Sequence, residues 1–114
     1  MIQKFEEIKA WQKAQDLAVD IYSLLSDSKN FGFKDQIFRA AVSISNNIAE
    51  GFERNTNPDF KRFLYIANGS CSEVKSMIYL GKRINMINEK NEKKLLDQCS
   101  EISKILHGLI KTLN

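Results

Sequence analysis

Proline occurs once and glycine five times in 114 residues, too few for a fold built on many tight turns. Two cysteines, Cys71 and Cys99, match no metal-ligand spacing and no disulfide framework. Both fall where helical periodicity places a core, so buried free thiols and a reducing, cytoplasmic compartment are expected. The single histidine, His107, rules out the paired Glu-x-x-His ligands of a di-iron bundle. It stands beside an apolar seam, as a boundary residue would. No arginine shortly precedes it, as an Arg–His helical RNase would need, because residues 100–103 read Ser-Glu-Ile-Ser. No run approaches the ~18 apolar residues of a membrane span. The first stretch, MIQKFEEIKAW, carries Glu6 and Glu7 and no apolar core, which argues against a signal peptide. Gly51, Gly69, Gly81 and Gly108 fall inside or at the ends of helical patterns, so no phosphate-cradling loop is formed. No metal, no cofactor and no enzymatic activity is expected.

What remains is 43% hydrophobic and 27% charged, a globular composition. The length suits one domain, residues 1–114, with its own core. Leu, Ile, Lys, Glu, Gln and Ala dominate, which favours helix. Four periodic segments follow one another, at about 5–26, 33–54, 58–87 and 89–113. The first stripe is Ile8, Trp11, Ala14, Ala18, Ile21 and Leu25. The second is Ile37, Ala41, Ile44, Ile48 and Phe52. The third runs Phe60, Phe63, Ala67, Ser70, Val74, Met77, Gly81 and Ile84. The fourth is a heptad: Leu95, Cys99, Ile102, Leu106, Leu109 and Leu113. Gly32 is the expected pivot of the first connector. Asn57 is the expected cap of the third helix with Pro58 at its first position, and Asn88 the cap of the fourth. Short connectors force antiparallel neighbours. The sequence therefore predicts an all-α, up-down-up-down four-helix bundle.

The second segment, QIFRAAVSISNNIAEGFER, raises a question of composition. Opposite its apolar stripe, Gln36, Arg39, Ser43, Asn47, Glu50 and Arg54 fall within about 80° on a helical wheel. Exposed helix positions usually carry Lys and Glu; this stripe has no Lys and two middling helix formers. A packed polar seam, within or between chains, fits that composition. A solvated face fits the spacing equally. Arg39 with Ser43, or Glu50 with Arg54, would pair along the helix.

FGFKDQIFRAAVSISNNIAEGFER, followed by FKRFLYIANGSCSEV, resembles the bacterial four-helix-bundle proteins encoded in intervening sequences of 23S ribosomal RNA genes. That family includes the accessory variability protein of diversity-generating retroelements. The likeness runs from about Phe5 to the C-terminus. It is carried by Gln36, Arg39, Ala40, Ser43, Ile44, Asn47, Ile48, Ala49, Glu50 and Gly51, with Ala67, Gly69, Ser70 and Glu73 in support. Two positions depart from the pattern: Ser45 stands where proline is usual, and Ser28-Lys29-Asn30 where many members have proline and an acid. The resemblance implies a homopentamer around a central channel. For the retroelement branch it also implies binding to nucleic acid and a reverse transcriptase. For the intervening-sequence branch it implies RNA association.

The third segment has a feature of its own. Between Asp59 and Ile87, five cations stand against two acids, which accounts for the whole net charge of +3. Lys61, Tyr65, Lys75, Tyr79, Lys82 and Arg83, with Asn68 and Ser72, fall within about 100° of one another. Cations interleaved with tyrosine suit single-stranded RNA, phosphates to the charges and bases to the rings. An ordinary solvated face would look similar. Gly69, in mid-helix at a cost of ~1 kcal/mol, suggests a tight helix crossing. The expected function is a non-enzymatic homo-oligomer that binds RNA or a nucleic-acid-processing partner. A protein-binding adaptor without nucleic acid is the alternative.

Overall fold

Each amphipathic stripe needs others to cover it, and the computed structural model, which describes residues 1–113, joins them as four α-helices. These are α1 (Lys9–Leu25), α2 (Phe31–Phe52), α3 (Asn57–Arg83) and α4 (Glu89–Lys111). Asn114, the last residue of the expected domain, lies outside the described residues. No strand occurs among the described residues. Packing joins α1 to α2, α2 to α3, α3 to α4, and α4 back to α1, while α1 and α3 lie diagonally apart. This is the expected up-down-up-down bundle, 43 × 21 × 19 Å overall. No helix is long and apolar enough to cross a membrane among the described residues.

The core follows the stripes. Leu17, Ile21, Ile37, Ile44, Ile48, Leu64, Ile78, Ile102 and Leu106 are fully buried, each contributing about 1.5–3 kcal/mol relative to exposure. At the α1–α4 seam, Lys13 Nζ meets Glu101 Oε1 at 2.7 Å. That hydrogen bond holds the Lys13 ammonium above its ordinary pKa.

Helix ends differ from the sequence reading where two capping residues competed. Gly32 is not a pivot: Asn30 caps α2, its Oδ1 accepting from Phe33 N at 3.2 Å, and Gly32 continues the helix. Thr56, not Asn57, caps α3; it is extended, and its Oγ1 accepts from Asp59 N at 3.2 Å, which moves Pro58 one place inward. Asn88 caps α4 as expected, accepting from Asn91 N at 2.8 Å. The first segment begins as a single 3-10 turn, Phe5–Glu7, before extended Ile8 starts α1.

The end of α3 corrects the expected core. The helix stops at Arg83, and Asn85 takes a left-handed conformation with φ 62°. Met86 N donates to Gly81 O at 2.8 Å and Asn85 N to Lys82 O at 3.2 Å, the paired bonds of a Schellman ending. The reversal leaves Ile84 exposed and swings Ile87 into the core in its place. In α4 the heptad drifts against the 3.6-residue turn, so Ile110 is buried where Leu109 was expected. The tight crossing expected at Gly69 is found instead at Gly51. A methyl on Gly51 would stand 2.5 Å from Phe63 Cβ, whereas one on Gly69 would meet nothing within 4 Å.

Candidate nucleic-acid interface and polar seam

The polar stripe of α2 divides into a packed middle and solvated ends. Ser43 and Asn47 are half-buried. Asn47 Nδ2 donates to Ser43 O at 2.8 Å and to Ser43 Oγ at 2.9 Å. Ser43 Oγ is in turn 2.9 Å from Ser70 Oγ on α3. Small polar side chains therefore sit where α2 and α3 approach, and they satisfy one another there.

Outside that centre the stripe is wet. Gln36, Arg39, Glu50 and Arg54 are exposed. Arg39 does not pair with Ser43; its Nε meets Asp35 Oδ2 at 2.8 Å, with the side chain 78% exposed. Glu50 and Arg54 do pair, at 3.0 Å. Arg54 also lies over the Phe63 ring at 4.8 Å, and Arg62 over the same ring at 4.7 Å. Phe63 is thus an anchor for two guanidiniums at one end of the α2–α3 contact.

Ser45 occupies the position where the sequence pattern would place proline. Its Oγ accepts from Gln15 Nε2 at 3.0 Å and donates to Val42 O at 3.2 Å. The serine links α1 to α2, and α2 runs through it without a break.

On α3 the basic strip faces outward and borders α4. Tyr65 and Tyr79 are 54% and 52% exposed. Lys61, Lys75 and Lys82 are half-buried, and Arg83 is exposed. Half-burial suits lysine stems lying along the helix with their ammonium groups at the surface. Asn68, midway along, accepts from Ser103 Oγ of α4 at 2.7 Å and fixes the border. Shallow depressions lie at both ends of the strip. One, of about 510 Å³, is lined by Pro58, Lys61, Arg62, Tyr65 and Ile66. The other, of about 530 Å³, is lined by Lys82 with Asn85, Asn88 and Asn91 among others.

Behind Lys75 lie the two thiols, both buried and free. Cys71 Sγ donates to Cys99 O at 3.3 Å. Contact with the Cys71 thiol, reinforced by burial, pushes the Cys99 thiol far above the ordinary range. His107 is exposed. Among the described residues, no group of three or more His, Cys, Asp or Glu could hold a metal ion.

The sequence reading missed Arg62, the asparagines of the α3–α4 turn, and the exposure of Ile66 and Leu80 on α3 and of Ile84 just past its end. Arg62 lies 100° round the helix from Lys61, outside the strip as drawn. The asparagines come together only because the helix reverses at Asn85.

The sequence profile of a family described as 23S rRNA-intervening sequence protein matches residues 6–108. The chain belongs to this family. A solved structure from Bacteroides thetaiotaomicron, of a protein with unknown function from the S23 ribosomal protein family, is similar as well. It shares 29% sequence identity with a TM-score of 0.83, over 90% of this chain and 98% of that one. No curated protein matches the chain. Several of the residues on which the sequence resemblance rests come together in the structure. Ser43, Asn47 and Gly51 of α2, with Ala67 and Ser70 of α3, form or adjoin a single helix–helix contact. Gly69 and Glu73, also quoted for the resemblance, are exposed.

Proposed function

We propose that this intervening-sequence family protein is a non-catalytic homo-oligomer of the cytoplasm that binds single-stranded RNA along the α3–α4 border. The observation that carries the reading is the strip itself. Two tyrosines, each more than half exposed, share one helical flank with Lys61, Lys75, Lys82 and Arg83. Fourteen residues of helix separate the rings, about 21 Å. Ring faces take bases of any sequence and the cations take phosphates, which suits binding with little sequence preference. Depressions at either end of the strip, one beside Lys61 and Tyr65 and one beside Lys82, give the strand places to turn.

The family resemblance supports five copies, which would repeat the strip around a ring and multiply its avidity. A reverse transcriptase enters as a partner only on the retroelement branch, and a reverse-transcriptase gene beside this one would favour that branch. The test is retention of a single-stranded RNA at low salt by the wild-type protein and by a Lys75→Glu, Lys82→Glu variant. Equal retention, or none by either, supports instead an adaptor that binds protein alone.

A further inference from the structure

The tyrosines and cations of the α3 flank take a strand without regard to its sequence, since every base has a ring face and every nucleotide a phosphate. A preference among bases needs a polar group that meets a base edge in one fixed orientation. One side chain between the two rings is held in that way. Asn68 stands three residues on from Tyr65, and helical neighbours at that spacing lie about 5–6 Å apart at Cβ. The edge of a base stacked on Tyr65 therefore falls within its reach.

The Asn68 carboxamide is anchored at its oxygen end. Ser103 of α4 donates its hydroxyl to Asn68 Oδ1 at 2.7 Å, and both residues are half-buried. A free carboxamide offers an acceptor and a donor side by side, and turns over to exchange them. That pair is what matches adenine, through N6 and N7. Here the oxygen is turned to α4 and occupied, so the strip receives the Nδ2 end with its N–H donors. Ser72, one turn further on and exposed, carries a hydroxyl that gives or takes a hydrogen bond, and so does not discriminate. Lys75, two turns on from Asn68, adds only a further donor.

From this we infer that Asn68 selects among bases, favouring those with a keto oxygen on the outer edge, uracil and guanine, over those with an amino group there, cytosine and adenine. The inference rests on the RNA reading above and adds a base preference to it. A keto oxygen, O4 of uracil or O6 of guanine, accepts from Asn68 Nδ2. The amino group of cytosine or adenine sets donor against donor instead, and leaves both short of a partner where water is partly excluded. Ser103 is the positioning residue. It touches no base and acts by keeping the amide from turning over.

The test compares a short uridine strand with a cytidine strand of equal length, bases of one ring size, at one low salt concentration. Affinity is read by fluorescence anisotropy. The wild-type protein should bind the uridine strand on the order of fivefold tighter, the worth of one net hydrogen bond. Ser103→Ala frees the amide to present its oxygen, so cytidine binding should rise toward uridine binding. Asn68→Asp keeps the shape of the side chain but only accepts. Its added charge weakens both strands, and the order of preference should reverse. Circular dichroism checks that each variant keeps its helix content; if Asn68→Asp does not, Asn68→Ala takes its place and should abolish the preference. Three results overturn the inference while the RNA reading stands. They are equal binding of the two strands by the wild type, a uridine preference that the Asn68 variant leaves in place, and a Ser103→Ala variant that weakens both strands alike, as a merely loosened α3–α4 seam would. Binding of neither strand overturns the RNA reading as well.

Discussion

The hydroxyls of Ser43 and Ser70 lie 2.9 Å apart across the α2–α3 contact. With Asn47 donating to the same Ser43 oxygen, three small polar side chains form a chain of hydrogen bonds where a bundle would ordinarily place alanine or leucine. The arrangement holds two helices in register and leaves the neighbouring outer faces free for other contacts.

Removing the link should therefore cost more than its size suggests. Ser43→Ala leaves Ser70 and the Asn47 amide each short of a partner, and about 1–2 kcal/mol of stability should be lost. Adding Ser70→Ala to Ser43→Ala should cost less than Ser70→Ala does alone, because the two hydroxyls serve each other. Urea unfolding of the three variants checks this. Strict additivity would mean that the hydroxyls act independently.

Gly51, in the α2–α3 contact, and Gly69, on the open face of α3, should behave in opposite ways. Gly51→Ala drives a methyl into Phe63 and should destabilise by about 1–3 kcal/mol. Gly69→Ala meets open space within the chain, and alanine's better helix propensity should stabilise by up to ~1 kcal/mol. Equal effects would mean that α2 and α3 do not cross where described.

Arg39 is a surface residue of the single chain. Its ion pair with Asp35 is exposed on both sides, and Arg39→Ala should cost only a few tenths of a kcal/mol in urea unfolding. A loss above ~1 kcal/mol would place the guanidinium in a contact between chains, with a broken charged hydrogen bond as the cause.

These cases show which parts of the molecule could be read from its residues. Burial followed the expected stripes through the middle of each helix, because periodicity reports the buried face directly, and departed from them mainly toward the helix ends. Ends were less legible. Thr56 and Asn57 both cap well, as do Asn30 and a glycine pivot at Gly32, and local chemistry does not rank such neighbours. Ile84 and Ile87 exchanged places because the left-handed turn at Asn85 interrupts the helical count. In the polar stripe, Ser43 and Arg39 share one side of the wheel. Only the position of Ser70 on the facing helix separates the packed residue from the wet one. The Tyr and Lys strip on α3 was visible as a pattern, but its border with α4, set by Asn68 and Ser103, was not.

Thiol chemistry gives an independent check on the α3–α4 packing. Cys71 and Cys99 are both buried, and Cys99 is held as a neutral thiol by its neighbour and by burial. The same contact lowers the Cys71 thiol, so burial is what shields that sulfur. A thiol reagent at neutral pH should label neither in the native protein and both in urea. Rapid labelling without denaturant would show that the seam behind Lys75 opens.

The most direct measurement is the salt dependence of binding to a single-stranded RNA, for the wild-type protein and for Lys75→Glu, Lys82→Glu. If about four phosphates are neutralised per chain, log K should fall with log salt at a slope near −3 for each engaged chain. The double reversal should weaken binding at low salt and flatten that slope, while leaving helix content and mass unchanged. Wild-type binding that ignores salt, or a slope the reversals leave untouched, would contradict the assignment of the α3 flank to RNA.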